Sequence, residues 1–427
     1  MKKNKLLFIS LFAGMLLSIS SAQAAKKKDE DVNTYELLNL FGEVMERTKL
    51  SYVEEVSDKK LIESAINGML SSLDPHSGYL DAESFNYMTE QTKGKFGGLG
   101  IEITMDNGLV KVVSPIDDTP AAKAGMKAGD YITNIDNETV VGMTLNEAVS
   151  KLRGKIGTKV RLSVRRANSK PLEFVITRQE IKIQSVKSEI KEDSISYIRI
   201  SSFTEDIDKT ITDAINKAKK QLKNKLLGIV IDVRNNPGGL LDQAVAVSDL
   251  FLEQGEIVST RSRNEADTVK FMASEGDIAQ GLPIVVIINE GSASASEILS
   301  GALQDHHRAI ILGEKSFGKG SVQTVIPLRD YGAMRITTAR YYTPSGRSIQ
   351  AKGIEPDVEV KPAKVEEIES YALNISEADL NNALKNDSDD GKKTEKKAKN
   401  KEDLADYQLT RALDLVKALA LYSKTDK

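Results

Sequence analysis

The sequence contains no cysteine and no tryptophan, and only three of its 427 residues are histidine. The absence of cysteine excludes disulfides, thiolate nucleophiles and zinc sites built on cysteine. A mechanism that depends on histidine must therefore use His76, His306 or His307. Neither sign of charge dominates, because the net charge is only −3. The composition gives no electrostatic reason to expect nucleic acid or an anionic membrane as a partner.

The N-terminal apolar run is too short for a membrane-spanning helix, which needs about 20 apolar residues. It covers residues 6–19, follows three lysines and precedes the small-residue sequence Ala22-Gln23-Ala24. This pattern is typical of a secretory signal peptide at residues 1–24, with cleavage after Ala24. We therefore expect export to the periplasm. Retention of the segment as an inner-membrane anchor is the alternative.

The rest of the chain falls into segments with different apolar patterns. Helical spacing is followed by short strands with one amphipathic helix, and then by apolar strands that alternate with glycine turns and helices. The last pattern predicts an α/β domain with a buried, mostly parallel sheet. The charged stretch KNDSDDGKKTEKKAKNKED cannot support a core and predicts a linker. The predicted segments are an N-terminal helical region at 25–95, a β-rich module at 96–168, the α/β core at 169–365, the linker at 366–405 and an amphipathic helix at 406–427.

The stretch GSASASE, residues 291–297, lies between a predicted buried strand and a predicted helix. Backbone N–H groups at a helix N-terminus favour negative charge, so a serine hydroxyl there could attack a carbonyl beside oxyanion donors. The spacing does not choose among Ser292, Ser294 and Ser296. Ser294 and Glu297 also fit the capping box S-x-x-E, a structural role that spacing alone favours.

A serine nucleophile needs a base, and the histidines are poorly placed to supply one. His306 and His307 follow on the same predicted helix, about 18 to 20 Å from the serines at 1.5 Å per residue. His76 follows a proline turn in another predicted domain.

Lys319 in GEKSFGKGSVQT is the other candidate base. The GxxxxGK spacing is that of a phosphate loop, but Gly320 stands where the Mg²⁺-ligating Ser or Thr is required. A lysine base must be neutral, and burial can lower a lysine pKa by about 3 to 5 units. Gln323 could orient the amine by a hydrogen bond. The alternative is an ordinary solvated loop lysine.

DVRNNPGGLL supplies a third element, a tight strand-to-helix turn at Pro237, Gly238 and Gly239. Its exposed N–H groups suit an oxyanion hole, although a plain turn between strand and helix is the commoner explanation. All three elements follow strands of one predicted domain, which is where α/β sites gather.

Together, GSASASEILSGALQDH, GEKSFGKGSVQT, TARYYTPSGRSIQAKGIEPD and DVRNNPGGLL resemble the C-terminal processing (tail-specific) serine peptidases. The resemblance implies an α/β multidomain fold with a helical N-terminal region, a β-rich PDZ domain, a crotonase/ClpP-like catalytic core and a C-terminal helix. It also implies a Ser/Lys endopeptidase that needs no cofactor and no metal ion. The family motifs assign Ser294 as nucleophile, Lys319 as base, Gln323 as the glutamine that follows, and the N–H groups of Ala295 and of Gly238 or Gly239 as oxyanion donors.

FGGLGIEI and SPIDDTPAAKAGMKAGDYITNID resemble the family's PDZ domain. Such a domain binds a chain end by adding it as a strand to its own sheet, so protein substrates with apolar C-termini are the expected partners. The resemblance implies a carboxylate loop at Gly98, Leu99, Gly100 and Ile101, and an apolar pocket at Leu145, Val149 and Leu152. The alternative for the three pocket residues is the core of the domain.

Two further partners are expected: a second copy of the chain, bound through the N- and C-terminal amphipathic helices, and a regulatory partner or adaptor. The first alternative function is a catalytically inactive PDZ adaptor that binds peptides. The second is an enzyme with a crotonase-like core acting on acyl thioesters. Gly320 and the export signal argue against a nucleotide-binding role.

Overall fold

The structure is a computed structural model that describes residues 33–116, 118–167, 169–364 and 406–422. The predicted signal peptide at 1–24 and the predicted linker at 366–405 lie outside these residues. The chain divides between Ser72 and Leu73 into two compact units, and each is described by itself.

The first unit contains the helices α1 (Thr34–Ser51) and α2 (Asp58–Ser71). Each begins at a polar cap: Asn33 accepts from the N–H of Tyr35, and Ser57 accepts from the N–H of Lys60. The prediction of helix in this region is confirmed. The apolar stripe of α1 is exposed and no residue of this helix is buried.

The second unit begins with β1 (Gly78–Leu80), α3 (Ala82–Lys93) and β2 (Lys95–Gly98) and continues into the β-rich module. Strands β3, β4, β5, β7 and β8 follow one another in its sheet, and β6 pairs with β5. The elements are β3 (Ile101–Asp106), β4 (Leu109–Pro115), α4 (Pro120–Lys123), β5 (Tyr131–Ile135), β6 (Glu138–Thr139), α5 (Leu145–Leu152), β7 (Lys159–Arg165) and β8 (Leu172–Thr177).

The predicted end of the module at residue 168 does not match its sheet. Strand β8 pairs antiparallel with β7 from Val164↔Leu172 to Lys159↔Thr177, and Ile176 is buried in the module's core. The predicted boundary falls at the polar turn between these two strands, although the following LEFVIT continues the alternation of a half-buried strand. The next strand, β9 (Gln179–Lys182), pairs with β2.

The rest of the second unit is the α/β core, and its elements alternate as the sequence predicts. They are β10 (Val186–Lys191), β11 (Ile195–Ile200), α6 (Ile207–Leu222), β12 (Gly228–Asp232), α7 (Leu241–Asp249), β13 (Glu256–Ser262), β14 (Val269–Met272), β15 (Ile284–Ile288), α8 (Ala295–Asp305), β16 (Ile310–Gly313), β17 (Ser321–Pro327), β18 (Ala333–Tyr342), β19 (Val358–Glu359) and α9 (Tyr407–Tyr422), with short 3₁₀ turns at Lys223–Lys225, Glu265–Asp267 and Arg329–Tyr331.

The main sheet of the core has the strand order β10-β11-β12-β15-β16-β19, and every pair except β10 with β11 is parallel. Strands β12 and β15 read GIVID and IVVII, and all their residues are buried. Such runs occur where both faces of a sheet are covered. Helices α6, α7 and α8 contribute to the apolar cluster on one face, so the predicted α/β core is confirmed.

Helix α9 covers the other face of this sheet with Leu409, Leu413 and Val416. Arg234 holds the start of this helix against the sheet. It donates hydrogen bonds to Asp232, at the end of β12, and to Asp406, just before the helix, each at 2.6 Å. The sequence did not decide whether this helix docks on the core or on a second subunit. In the structure it docks on the core. Because its apolar face is buried against its own chain, the structure contradicts the prediction that this helix joins two subunits.

A second sheet lies beside the serine and lysine turns. Strand β18 pairs with β1 at its start, with β13 at its end and with β17 along most of its length. This arrangement brings the segment that follows Lys319 against strands from distant parts of the sequence. No helix within the described ranges combines the length and the apolar content needed to cross a membrane.

Candidate active site

Ser294 is the N-cap residue of α8 and lies in a strained turn after β15. Its φ of 54° and ψ of −110° fall in a region that residues other than glycine rarely adopt. The hydroxyls of Ser292 and Ser296 donate to the carbonyl oxygens of Val233 and Asn236, at 2.8 and 3.0 Å. These two serines therefore anchor the turn to the neighbouring glycine turn. Ser294, 9% exposed, is the serine whose hydroxyl is not bonded to a backbone carbonyl.

The glycine turn lies in contact with this serine. A Cβ atom on Gly238 would come within 2.9 Å of Ser294 Cβ and 3.0 Å of the Ala295 nitrogen, so only glycine fits there. The N–H of Gly238 donates to Asn236 Oδ1 at 2.9 Å and is already occupied. The N–H groups of Ala295 and Gly239 donate to no group in the described part of the chain. Of the two predicted glycines, Gly239 thus has the available donor.

Glu297 links the serine turn to the lysine turn. Its side chain is completely buried, and Oε2 accepts from the N–H groups of Ser294 (2.8 Å) and Lys319 (2.9 Å). Oε1 accepts from the N–H of Gly318 (2.7 Å) and the hydroxyl of Ser316 (2.6 Å). Burial raises the pKa of Glu297, while these four donors oppose that rise. The capping contact expected from the sequence exists, but the same carboxylate also fixes the loop that carries the lysine.

Lys319 is half-buried, and its amine donates no hydrogen bond to any other residue that the structure describes. Its pKa is lowered, first by burial and then by the positive charge of Arg335, while Glu297 acts in the opposite direction. At neutral pH a larger fraction of this side chain is therefore neutral than of an ordinary lysine. A solvated loop lysine would not have these properties.

A cleft of about 600 Å³ opens beside the lysine and the serine turn. Its lining combines apolar with polar side chains: Asn235, Pro237, Glu290, Gly291, Ala293, Phe317 and Lys319. An open cleft at this position leaves room for a polypeptide next to Ser294. Within the described ranges, no group of three or more His, Asp or Glu residues is arranged to hold a metal ion.

The predicted hydrogen bond from Gln323 to the lysine amine is not present. Gln323 Nε2 donates instead to Ser321 Oγ at 2.8 Å and to Thr337 Oγ1 at 3.3 Å. The expectation assumed helix-like spacing, in which the fourth residue returns beside the first. Residues 321–327 form a strand, which advances about 3.3 Å per residue and carries Gln323 away from Lys319.

The motif LDPHSGYL reaches this site from the start of the second unit, although the sequence suggested only a flanking helical role. Asp74 accepts from Ser77 Oγ at 2.7 Å and from Thr337 Oγ1 at 3.1 Å, the same threonine that Gln323 contacts. The pKa of His76 is lowered by burial and then by the charge of Lys319. No local pattern in the sequence indicates these contacts.

We expect Arg335→Gln to move the acidic limb of the pH–activity curve to higher pH. A lysine base works when deprotonated, so kcat/KM should rise with pH through the lysine pKa. Arg335 lowers that pKa, so removing its charge should raise it, and Glu297 is unchanged. The variant also loses the hydrogen bond from Arg335 Nε to the carbonyl oxygen of His76, at 2.9 Å. The measurement is kcat/KM of a short peptide between about pH 6 and pH 10.

The control for this experiment is Arg329→Gln, which removes an exposed arginine near the start of β18. We expect its curve to overlay that of the unmodified protein. A limb that stays in place in the Arg335 variant, or moves to lower pH, would contradict the assignment of Lys319 as the titrating base.

The predicted PDZ residues separate into buried and accessible groups. Leu152 belongs to the core of the module, as the alternative for the pocket residues had it, whereas Leu145 is 37% exposed. Leu99 of the predicted carboxylate loop also has its side chain in this core. Val149 is half-buried and lines a cleft of about 570 Å³ that also includes Tyr87 of α3. Gly98 ends β2, and Gly100 has a φ of 73° with Thr119 against it, so a side chain is excluded there. Ile101 begins β3, an edge strand of the module's sheet.

Comparisons with known proteins agree with this architecture. Residues 194–360 match the model of peptidase family S41, residues 111–166 that of a PDZ domain, and residues 9–84 that of the N-terminal domain of the activating protease CtpB. A carboxy-terminal-processing protease of Bartonella bacilliformis is 52% identical over 382 residues, which cover 88% of this chain and 88% of that protein. The carboxy-terminal processing protease CtpA of Bacillus subtilis is 36% identical over 370 residues, covering 84% and 78%. A solved photosystem II D1 C-terminal processing protease is 31% identical with a TM-score of 0.45, covering 74% of this chain and 86% of that one.

Proposed function

This chain belongs to the carboxy-terminal processing proteases of peptidase family S41 and is a serine peptidase with a PDZ domain; from that premise we propose that it cleaves proteins in the periplasm with a Ser294–Lys319 dyad, after its PDZ domain has bound an apolar C-terminal tail. The observation that supports this dyad most strongly concerns the Glu297 carboxylate, which accepts hydrogen bonds from the backbone N–H groups of both Ser294 and Lys319. The proposed location rests on the signal-peptide pattern of residues 1–24, and a mature chain that begins at Ala25 would support it.

In the acylation step, neutral Lys319 takes the proton from Ser294 Oγ while this oxygen attacks the substrate carbonyl carbon. The carbonyl electron pair moves onto oxygen, and the N–H groups of Ala295 and Gly239 stabilise the resulting charge. When the tetrahedral intermediate collapses, the carbon–nitrogen bond breaks and Lys319 passes its proton to the departing amine. The product is an ester between the substrate acyl group and Ser294.

In the deacylation step, Lys319 is neutral again and takes a proton from a water molecule that attacks the ester carbonyl. The bond between the carbonyl carbon and Ser294 Oγ then breaks, and Lys319 returns a proton to that oxygen. The free enzyme is restored with a carboxylate product. No step requires a group from outside the dyad, the oxyanion donors and water.

The proposed tail recognition rests on the edge position of β3 and on the accessible side chains of α5. A peptide that pairs with β3 would extend the sheet by one strand, and its last side chain would meet Leu145 and Val149. Burial of an apolar side chain of this size contributes about 1.5 to 3 kcal/mol. An apolar tail is therefore expected to bind more tightly than a charged one.

Val149→Asp tests this recognition. On a protein substrate with an apolar tail, we expect kcat/KM to fall about 10- to 100-fold, which corresponds to the lost burial. On a short peptide without a tail, the loss should be under about 2-fold, because the reacting groups are unchanged. Lys151→Gln on the same helix is the matched control and should keep both activities.

Equal losses on both substrates would contradict a role of α5 in tail binding. Binding of the tailed protein without any cleavage by the unmodified chain would favour the inactive adaptor instead. Labelling of Ser294 by a serine-reactive phosphonate would argue against chemistry on acyl thioesters.

We also propose that two chains associate through the N-terminal helices. The apolar side chains of α1 are unusually exposed for a helix, with Leu38 at 59% and Val44 at 54%. Light scattering at micromolar concentration should give the mass of a dimer, and Leu38→Glu should give a monomer. A monomeric mass for the unmodified chain would contradict the proposal.

A further inference from the structure

Three arginines without a neighbouring counter-charge lie together on the second sheet. Arg261 of β13 is directly opposite Arg340 of β18 in the antiparallel ladder, and Arg263 follows the end of β13. All three residues are exposed. Within the part of the chain that the structure describes, none of them forms an ion pair or donates a side-chain hydrogen bond. The three guanidinium groups therefore create a local positive charge that these surroundings do not neutralise.

The pairing of Arg261 with Arg340 is unfavourable for the sheet. Directly opposite residues of an antiparallel pair have Cβ atoms about 4.5 to 5.5 Å apart, and like charges at such positions repel each other. On its other side Arg340 lies opposite Ser321 of β17, which offers no compensating charge. Choices that oppose local stability in this way are found chiefly at functional sites. The pair therefore calls for a role other than folding.

The side chain of Arg261 is held in place by an aromatic ring. Its guanidinium carbon lies 4.0 Å from the centroid of the Tyr342 ring. Stacking of this kind restricts the guanidinium and leaves the N–H groups on its edge free to donate. Both strands are also fixed, because β13 lies between β14 and β18, while β18 pairs with β13 and β17. Groups on strands keep their positions better than groups on loops.

A cleft of about 310 Å³ opens between the three arginines, and we call it the arginine cleft. The described residues that line it include Arg261, Arg263 and Arg340 but no carboxylate. A guanidinium has five N–H donors and no acceptor, and two of these donors match the two oxygens of a carboxylate. The cleft thus has the donors and the charge to hold carboxylates that lie close together.

The position of the arginine cleft and the activity of the protein favour a polypeptide as its ligand. The cleft shares no lining residue with the one beside Lys319, but Arg340 lies opposite Ser321, only two residues after that lysine. A peptidase binds polypeptides, and the net charge of −3 gives the whole chain no long-range attraction for nucleic acid. We propose that the arginine cleft binds an acidic segment of the protein substrate, apart from the bond that is cut.

Fluorescence anisotropy with a labelled peptide of alternating glutamate and glycine tests this proposal. Amidation of the peptide removes its terminal carboxylate, which a PDZ domain would otherwise bind. The protein is the full chain with Ser294→Ala, so that the peptide is not consumed. We expect the added double variant Arg261→Gln/Arg340→Gln to weaken binding at least about 10-fold, because it removes charge-assisted hydrogen bonds. Binding should also weaken as the salt concentration rises.

The matched control is the double variant Arg329→Gln/Lys225→Gln in the same background. It removes two positive charges from exposed positions outside the arginine cleft. Its dissociation constant for the acidic peptide should stay within about 2-fold of that of the parent protein. A peptide in which lysine replaces each glutamate should not bind.

The single variant Arg340→Gln separates binding from folding. Without peptide and at low salt, its unfolding midpoint should stay the same or rise by up to about 2 °C, because the repulsion from Arg261 is removed. Its affinity for the acidic peptide should still fall about 3- to 10-fold. This variant also provides the measurement if the double variant fails to fold. A lower unfolding midpoint would mean that the arginine pair serves the sheet, and the proposal would be wrong.

Unchanged affinity in the arginine double variant would overturn the proposal, as would an equal loss in the control. Tighter binding of a single-stranded oligonucleotide than of the acidic peptide would also overturn it, since the ligand would then be a nucleic acid. The inference does not depend on the Ser294–Lys319 dyad. Cleavage of peptides by the Ser294→Ala chain would remove the proposed dyad, whereas the loss of binding in the arginine variants would still support the arginine cleft.

Discussion

Lys319→Met is expected to lower kcat by at least about 10³-fold while the protein stays folded. Methionine is similar in length, tolerates the half-buried position without a charge to desolvate, and cannot accept a proton. Ser294→Ala should cost at least as much, because the covalent step is lost. If the two residues act as one unit, as proposed, the double variant should be no slower than the slower single variant.

The measurement is single-turnover cleavage of a short peptide, together with phosphonate labelling of Ser294. Lys315→Met is the matched control, because this lysine lies in the same loop, is exposed and pairs with Glu355 on the surface. Its kcat should stay within about 2-fold. Lys319→Met with more than a tenth of the normal kcat would exclude the lysine as the base, and a further tenfold loss in the double variant would show that the two residues act separately.

Glu297→Gln is expected to lower the free energy of unfolding by about 2 to 5 kcal/mol and kcat by about 100-fold. The carboxylate accepts from four donors and donates to none. A glutamine of the same shape has one oxygen. In one orientation its NH₂ group faces two N–H donors, those of Ser294 and Lys319. In the other it faces the N–H of Gly318 and the Ser316 hydroxyl, which can turn to accept, so at least one donor loses its acceptor in either case. Each buried donor left without an acceptor costs about 1 to 3 kcal/mol. The turns that carry Ser294 and Lys319 should separate as a result.

Denaturant unfolding and peptide kinetics measure the two effects of Glu297→Gln. Glu275→Gln makes the same chemical change at an exposed position and should alter stability by less than about 0.5 kcal/mol. Normal stability and normal kcat in the Glu297 variant would mean that this carboxylate does not organise the site.

Much of the core could be predicted because its signals are local. GIVID and IVVII are apolar at nearly every position, and the serine, lysine and glycine turns each follow such a strand or its neighbour. Parallel strands end at one edge of a sheet, so these turns were expected together. The turn between β7 and β8 is as polar as a domain boundary, so the sequence pattern alone predicts a boundary at residue 168.

The contacts that complete the site depend on residues far apart in the sequence. Asp74 accepts a hydrogen bond from Thr337, which lies 263 positions further along the sequence. Apolar periodicity reports how a segment folds and says nothing about which distant segment it touches. Glu297 was visible as a capping residue, but its second partner, the lysine loop, was not.

The position of α9 has a consequence for how the protein matures. A chain still leaving the ribosome or the export channel has every strand of the main sheet before it has the helix that seals Val230, Ile287 and Leu312 from water. Until residues 406–422 arrive, that face stays open and Arg234 lacks Asp406. We therefore expect the nascent chain to reach its final packing only after its last helix has been synthesised. The same should hold for the final conformation of the glycine turn at Pro237, Gly238 and Gly239, which follows Arg234.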